Sequence, residues 1–140
     1  MWRTFLETSL WMLDLLDREM QQNAGIPIRW YDVLIHLEEA PAGMRMNDLA
    51  REIVTSKSGL TRVIDGMEEA GLVRRIRPED DRRVILVALT DDGVALMERA
   101  RRHHRHNLER HFSCHLTDAE ARTLARALGK VHAALRDERS

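Results

Sequence analysis

Cysteine is nearly absent from this chain of 140 residues, in which Cys114 is the only one. A single thiol cannot form a disulfide within the chain, which excludes the small secreted proteins that several disulfides hold together. One unpaired cysteine suits a reducing compartment instead. We therefore expect a cytoplasmic protein.

Long apolar segments are absent as well. No apolar run approaches the roughly 20 residues that a helix needs to span a bilayer. Near the N-terminus, Glu7, Asp14 and Asp17 interrupt the apolar residues, and the sequence shows neither a basic leading segment nor a small-residue cleavage site. We expect no signal peptide and no membrane partner.

The sequence also lacks the common motifs of catalysis. It contains no glycine-rich phosphate loop, no nucleophile elbow and no HExxH zinc motif. The adjacent acids Asp80 and Asp81 fall in a predicted turn, where we do not expect a catalytic pair. We therefore expect a protein that is not an enzyme and that needs no cofactor.

Net charge is small, −1 at pH 7, whereas domains that bind nucleic acids are usually basic as a whole. The distribution of charge qualifies this argument. Five arginines fall within ten residues, and the acids of that stretch are adjacent to one another at positions 79–81. The basic positions are Arg74, Arg75, Arg77, Arg82 and Arg83. Such a segment is a candidate surface for the DNA backbone.

Apolar periodicity and turn residues predict the order of the elements. The predicted helices before the basic segment are 2–22, 29–39, 48–53 with Asn47 as N-cap, and 57–70 with Thr55 or Ser56 as N-cap and Gly71 at its end. A very short strand is predicted over 44–46. Strands at 73–77 and 84–89 flank a turn at 78–81. A helix over 91–113 with Thr90 as N-cap follows, and a capping box, Thr117-x-x-Glu120, opens the last helix. This pattern predicts a mainly α fold with a small β-hairpin, of the α+β class.

The helix predicted over 57–70 begins with small polar and cationic residues. These are Thr55, Ser56, Lys57, Ser58, Gly59, Thr61 and Arg62. Amides at a helix N-terminus attract phosphate, and hydroxyl and ammonium groups add donors. Leu60, Ile64 and Met67 occupy the opposite, core-facing side. A recognition helix needs such a division, although an ordinary capped surface helix shows it too.

The basic hairpin strengthens the prediction of DNA binding. Cationic edge strands also protect proteins from aggregation, which is the alternative interpretation. However, Asp81 is close enough to Arg83 to fix the direction of its guanidinium, and an arginine on a rigid hairpin suits a narrow minor groove. A short helix pair, a glycine stop and an arginine hairpin in series predict a unit that reads duplex DNA.

The first and last helices carry apolar residues at an alternating spacing of four and three. The positions are Trp2, Leu6, Leu13, Leu16 and Met20 in the first, where the polar Ser9 occupies the remaining place in the pattern, and Ala121, Leu124, Leu128, Val131 and Leu135 in the last. A compact winged unit is too small to cover both. We therefore expect a homodimer, with the same surfaces of a second copy as partner.

The run from Asp48 to Gly93 resembles the winged helix-turn-helix of MarR-type transcriptional regulators. The resemblance extends over the whole chain, and the Asp81-x-Arg83 and Leu89-Thr90-x-x-Gly93 patterns are specific to that family. It implies one domain over 1–140. The dimerisation helices would be 1–25 and 113–140, the winged helix-turn-helix 29–90, and the connecting helix 91–112.

The resemblance also implies a function, that of a homodimeric, ligand-responsive repressor on pseudo-palindromic promoter DNA. The groove-reading role would fall to Ser56, Lys57, Ser58, Thr61 and Arg62, and the wing role to Arg83, held by Asp81. A cleft between the dimer helices and the winged unit would bind a small aromatic effector. Candidate contacts there are Trp11, Trp30, Tyr31 and His36, for which plain core packing is the alternative.

Three alternatives are a regulator that senses a metal, a regulator that senses oxidation, and a winged helix that binds only proteins. His111 and His115 are four residues apart, a spacing that suits zinc or nickel, and His104 falls on the same helix face. Histidines at a dimer interface are the simpler interpretation, so we expect no metal. Cys114 would act as a redox sensor only with an exposed thiol of depressed pKa. A winged helix that binds only proteins is a further alternative, although it would not need exposed arginines at 82 and 83.

Overall fold

The computed structural model describes residues 1–53 and 57–139, which are mainly helical. The helices are α1 (Trp2–Ala24), α2 (Ile28–Glu38), α3 (Met46–Glu52), α4 (Lys57–Glu69), α5 (Asp91–His111) and α6 (Asp118–Arg139), and the strands are β1 (Met44–Arg45), β2 (Val73–Ile76) and β3 (Leu86–Leu89). The predicted α+β class is confirmed. Within the described ranges, no helix has the length and apolar composition that crossing a membrane requires.

The chain divides into two compact units, Met1–His104 and Arg105–Ser140, with the division inside α5. The first unit contains α1 to α4, the strands and most of α5. The second contains the end of α5, a 3-10 turn at Ser113–His115 and α6. The predicted single domain, with its dimerisation, winged and connecting parts, stays a prediction.

The strands form a small antiparallel sheet in the order β1-β3-β2. Met44 of β1 pairs with Val87 of β3, and Val73 of β2 pairs with Leu89. The core of the first unit lies between this sheet and the apolar faces of α2, α3 and α4. Its fully buried side chains include Leu34, Leu37, Leu49, Leu60, Ile64, Met67, Val87 and Met97.

The apolar face of α1 has two different environments. Toward the C-terminal end, Leu16 and Met20 are buried, whereas Leu6 and Leu13 in the N-terminal half are exposed. The helix ends at Gly25, whose φ of 71° is a left-handed conformation that favours glycine. Asp17 of α1 accepts a hydrogen bond from the Ile28 N–H at 2.9 Å. This contact joins α1 to the start of α2.

The start of α3 differs from the prediction. Asn47 was expected to be the N-cap, but the helix begins at Met46 with Arg45 in the N-cap position. Arg45 pairs with Leu86 in the sheet, so its backbone is extended and the helix begins at the very next residue. The pairing partner is distant in sequence, which local capping rules do not register. Thr55 and Ser56, the predicted caps of α4, lie outside the described residues.

The junction between α4 and α5 explains a sequence pattern. Gly71, with φ 76°, closes α4 as predicted, and the Leu72 N–H donates to the Met67 carbonyl at 2.9 Å. The Thr90 hydroxyl donates to the Gly71 carbonyl at 2.6 Å and accepts the Gly93 N–H at 3.0 Å. Thr90 is thus the N-cap of α5 and ties it to the end of α4.

The end of α5 and the start of α6 are both set by residues close in sequence. α5 ends at His111, two residues before the predicted end at 113, and the backbone of Phe112 leaves the helical region. The predicted capping box is present: the Thr117 N–H donates to Glu120 Oε2 at 2.8 Å, and the Glu120 N–H donates to Thr117 Oγ1 at 3.3 Å. The Thr117 backbone N–H lowers the pKa of Glu120.

Candidate nucleic-acid interface

Helix α4 has a buried face and a polar face, as predicted. Leu60, Ile64 and Met67 are fully buried, whereas Ser58, Thr61 and Arg62 are exposed. The polar face is therefore available to a partner at the beginning of the helix. Among the other predicted DNA contacts, Gly59 is half-buried, Thr55 and Ser56 lie outside the described residues, and so does the side chain of Lys57.

The wing is the segment 77–85 between β2 and β3. Its tight turn is formed by 81–84, where the Val84 N–H donates to the Asp81 carbonyl at 3.2 Å. The prediction placed the turn at 78–81 and began the strand at Val84, whereas β3 begins at Leu86. The Asp81 carboxylate accepts the Arg83 N–H at 3.1 Å, and this side-chain hydrogen bond nucleates a turn after Asp81 rather than before it.

Arg83 lies in this turn and is oriented by Asp81. Asp81 Oδ1 accepts Nε–H of Arg83 at 3.3 Å in addition to its backbone N–H. The Arg83 side chain is 93% exposed. An exposed ion pair of this kind adds little stability, so its main effect is on direction. Arg77 donates to the Arg82 carbonyl at 3.0 Å and braces the base of the wing.

Arg75 differs from the other arginines of the hairpin. Its guanidinium donates to Asp65 at 2.6 Å and to Glu68 at 2.9 Å, and its backbone N–H donates to Glu68 at 3.0 Å. Partial burial lowers the pKa of Arg75, but the hydrogen bonds that it donates to Asp65 and Glu68 outweigh this effect, so its pKa is raised. Arg75 thus joins β2 to α4, while Arg74, its neighbour, is exposed.

The structure therefore gives Arg75 a positioning role that charge clustering did not reveal. It fixes α4 against β2, the strand that leads into the wing. A sequence pattern could have indicated it, since Asp65 and Glu68 are three residues apart on the helix that precedes β2. Their common face can meet a cation from the adjoining strand.

The candidate effector contacts have different surroundings in the chain. Trp11 is 70% exposed, and Trp30 packs on Gly66 of α4, where an added Cβ would lie 2.9 Å from its ring. Tyr31 is buried, with its ring centroid 5.0 Å from that of His104. His36 Nδ1 lies 2.8 Å from the Asp32 carbonyl. Their shared role in an effector pocket stays a prediction.

A polar cluster between α2 and α5 was not predicted. Arg101 forms ion pairs with Glu38 and, at 3.9 Å, with Glu98. Burial raises the pKa of Tyr31, and Arg101, which donates a hydrogen bond to it, opposes the rise. Burial lowers the pKa of His104. Glu98 and Arg101 were not singled out in the sequence, and His104 was considered only as a metal or dimer-interface residue.

The residues considered for metal and redox sensing lie in different surroundings. Across residues 1–53 and 57–139, no group of three or more His, Cys, Asp or Glu side chains is arranged to hold a metal ion. Of the weak candidates, His104 packs on Tyr31, His111 ends α5, and His115 lies in the 3-10 turn. Cys114 is exposed, and its thiol donates to the Arg110 carbonyl at 3.0 Å.

Comparison with known proteins identifies the family. A family model described as MarR family matches residues 24–84, from the end of α1 through the wing. The solved structure of AbsC, a MarR family transcriptional regulator from Streptomyces coelicolor, is 36% identical, with a TM-score of 0.88 over 97% of this chain and 92% of AbsC. The chain belongs to the MarR family of transcriptional regulators.

Two further relatives extend the match. The MarR family regulator Sco3205 from Streptomyces coelicolor, solved in complex with DNA, is 29% identical, with a TM-score of 0.89 over 96% of this chain and 88% of that one. The HTH-type transcriptional regulator PecS of Dickeya dadantii (strain 3937) is 31% identical over 122 residues, which are 84% of this chain and 73% of PecS. These relatives confirm the predicted winged helix-turn-helix fold and a MarR-type regulator in place of an enzyme.

Proposed function

We propose that this MarR-family regulator binds a pseudo-palindromic promoter site as a homodimer and represses transcription from it. The observation that carries the proposal is the wing, where Asp81 holds Arg83 by two hydrogen bonds while the Arg83 side chain stays 93% exposed. An arginine held in this way suits the minor groove that borders a recognition helix.

The proposed contacts fall into two sets. On α4, Ser58, Thr61 and Arg62 would face the major groove, joined by Thr55, Ser56, Lys57 and Gly59. On the hairpin, Arg82 and Arg83 would contact the minor groove and backbone, with Arg74 on the flank. Arg75 and Arg77 would act through the protein, since both donate to groups of their own chain.

The homodimer is proposed from two apolar faces, each considered by itself. On α1, the exposed apolar side chains are Trp2, Phe5, Leu6, Leu10, Trp11 and Leu13, and on α6 they are Leu128, Val131 and Leu135. Monomeric proteins rarely expose apolar side chains in such continuous faces. A second copy, related by a two-fold axis, would cover them and present two recognition helices to one DNA duplex.

Release by a small aromatic effector is a further part of the proposal, and it is supported by family membership alone. A ligand that prefers the free dimer must weaken DNA binding by the same factor as DNA weakens ligand binding. A phenolic anion that raises the melting temperature and weakens DNA binding together would support this part. A thermal shift without any change in DNA affinity would contradict it.

Selection of bound duplexes from a random pool tests the main proposal. The expected result is one enriched motif with two inverted half-sites, because a two-fold dimer requires two-fold symmetry in its site. Arg62→Ala, which truncates a proposed major-groove contact, is expected to relax the motif at one position of each half-site. No enrichment by the wild-type protein, or enrichment of a single asymmetric site, would overturn the proposal.

A further inference from the structure

A groove opens between the start of α2 and the start of α4, and Arg29 on its α2 side is not among the predicted contacts. Its volume is about 570 Å³, and its lining residues are Arg29, Trp30, Ser58, Gly59, Arg62 and Val63. None of these residues is acidic, and two of them are arginines. Arg29 and Arg62 are both exposed. The groove therefore presents a positive rim directly beside the polar face of α4.

The floor of the groove is fixed. Trp30 is half-buried and packs so closely on Gly66 that an added Cβ would lie 2.9 Å from the indole. The groove cannot deepen by moving this ring into α4. A ligand that needs an enclosing apolar pocket finds none here, whereas an anion that needs only cations at the rim fits.

On the α2 side of the groove, an anion would be attracted by a side chain and not by the backbone N–H groups at the start of α2. The Ile28 N–H already donates to Asp17 and the Trp30 N–H to the Pro27 carbonyl at 3.0 Å. The positive charge of this wall is therefore that of the Arg29 guanidinium. Guanidinium groups bind phosphate oxygens with two parallel hydrogen bonds.

If α4 enters a major groove, a DNA strand would pass beside the groove that Arg29 lines. The major groove of B-DNA is about 12 Å wide, and a helix with its side chains is about 10–12 Å across. A helix inserted there brings both bordering phosphate strands against whatever flanks it. On one flank of α4 the chain places the hairpin, and on the other it places this groove.

We propose that Arg29 binds a phosphate of the operator backbone on the α2 side of the recognition helix. This inference rests on the proposed DNA-binding function and adds a contact that the recognition helix and the wing do not provide. Because a phosphate carries no base identity, Arg29 would fix the position of the duplex and not its sequence.

The test compares Arg29→Gln with Arg99→Gln, which removes an exposed arginine of α5 outside the groove. Affinity for a selected duplex is measured against salt concentration. Arg29→Gln is expected to lower the salt slope by about one unit per half-site, with the same fold loss on specific and non-specific DNA. Arg29→Lys should retain the slope, because it keeps the charge. Arg99→Gln should behave as the wild-type protein.

Duplexes with single methylphosphonates, which neutralise one phosphate at a time, locate the contact. At the phosphate bound by Arg29, the modification should weaken the wild-type protein and leave Arg29→Gln unaffected. An unchanged salt slope in a folded Arg29→Gln protein, as judged by its thermal melt, overturns the inference. Failure of the wild-type protein to bind any duplex would instead overturn the proposed function, so the two failures are distinct.

Discussion

At the scale of single residues, the replacement of Arg83 is the most direct test of the wing. We expect Arg83→Ala to cost roughly 1–3 kcal/mol of binding free energy per half-site, with the greatest loss where A·T-rich sequence narrows the flanking minor groove. The free energy of unfolding should change little, because the side chain is almost fully exposed. Fluorescence anisotropy with duplexes that differ only in their flanks measures the effect. Equal losses on A·T-rich and G·C-rich flanks would exclude minor-groove insertion.

Asp81→Ala is a control for which orientation of Arg83 and simple counting of charge predict opposite changes in DNA affinity. Removing a negative charge should strengthen attraction to DNA if net charge alone matters. Because Asp81 accepts two hydrogen bonds from Arg83, we expect Asp81→Ala to weaken binding instead, measured in the same titration. Tighter binding by this variant would show that Arg83 does not need the carboxylate.

His104 is expected to make stability depend on pH. Burial lowers its pKa in the folded protein below the ordinary 6.5. As pH falls through 6.5, the unfolded chain therefore takes up a proton that the folded chain resists, and the free energy of unfolding decreases. Above that pH the neutral imidazole imposes no such loss. The stabilising state is thus the neutral one, present at higher pH and lost in the window below 6.5.

The variant His104→Phe keeps a ring against Tyr31 and removes the titration. Urea unfolding is measured at about pH 7.5 and at several pH values below about 6.5. Between these conditions His104→Phe should lose less free energy of unfolding than the wild-type protein. His103→Gln changes the exposed neighbouring residue and serves as control. The same pH dependence in His104→Phe and wild-type protein would assign the loss to other groups.

At the scale of elements, the junction of α4, β2 and α5 leaves no room for an added side chain at Gly93. A Cβ at Gly93 would lie 2.0 Å from the Leu72 carbonyl oxygen. That carbonyl accepts the Thr90 N–H at 3.1 Å, so it cannot move without disturbing the start of α5. We expect Gly93→Ala to destabilise the protein by roughly 1–3 kcal/mol, as overpacking does, in chemical denaturation.

Gly129 of α6 is the matched control. An added Cβ there meets nothing within 4 Å, and alanine favours the helix by up to about 1 kcal/mol over glycine. Gly129→Ala should therefore be neutral or stabilising in the same denaturation experiment. If both variants lose similar stability, the cost at Gly93 arises from backbone effects and not from the carbonyl of Leu72.

Elements that depend on nearby residues could be predicted from the sequence. Gly71 at the end of α4, Thr90 at the start of α5 and the Thr117–Glu120 box all act within a few residues, and all are observed. The start of α3 and the turn of the wing were placed wrongly. The pairing of β1 with β3 determines where α3 begins, and the hydrogen bond of the Asp81 side chain determines where the wing turns. Residue propensities alone include neither contact.

The candidate site shows the same limit. The exposed face of α4 follows from helical periodicity, and the Asp81–Arg83 contact follows from a motif. Arg75 was grouped with the DNA contacts, because clustering of charge does not tell which arginine meets a carboxylate of its own chain. Trp30 packs on α4 because Gly66 has no side chain, a contact that the predicted role of Trp30 in an effector pocket did not include. Both depend on contacts between elements.

At the scale of the whole molecule, the proposed dimer predicts the mass of the protein in solution and a substitution that should dissociate it. Sedimentation at low micromolar concentration should give about twice the chain mass of 16.3 kDa. Val131 is 57% exposed in one chain, so Val131→Glu should leave folding intact but bury a charge in the dimer, which favours the monomer. Lys130→Glu, the adjacent residue, is the control. A folded wild-type monomer at this concentration would exclude the dimer.

The spacing of the two half-sites is the sharpest consequence of two-fold symmetry. Two recognition helices in successive major grooves require half-site centres about 10 bp apart, one turn of the duplex. Inserting about 5 bp between them turns the second half-site to the opposite face of the DNA. The wild-type protein should then bind no more tightly than to one half-site. Monomeric Val131→Glu should be indifferent to the insertion, because it engages each half-site alone. Wild-type affinity that does not change with the spacer would mean that the two copies do not read the DNA together.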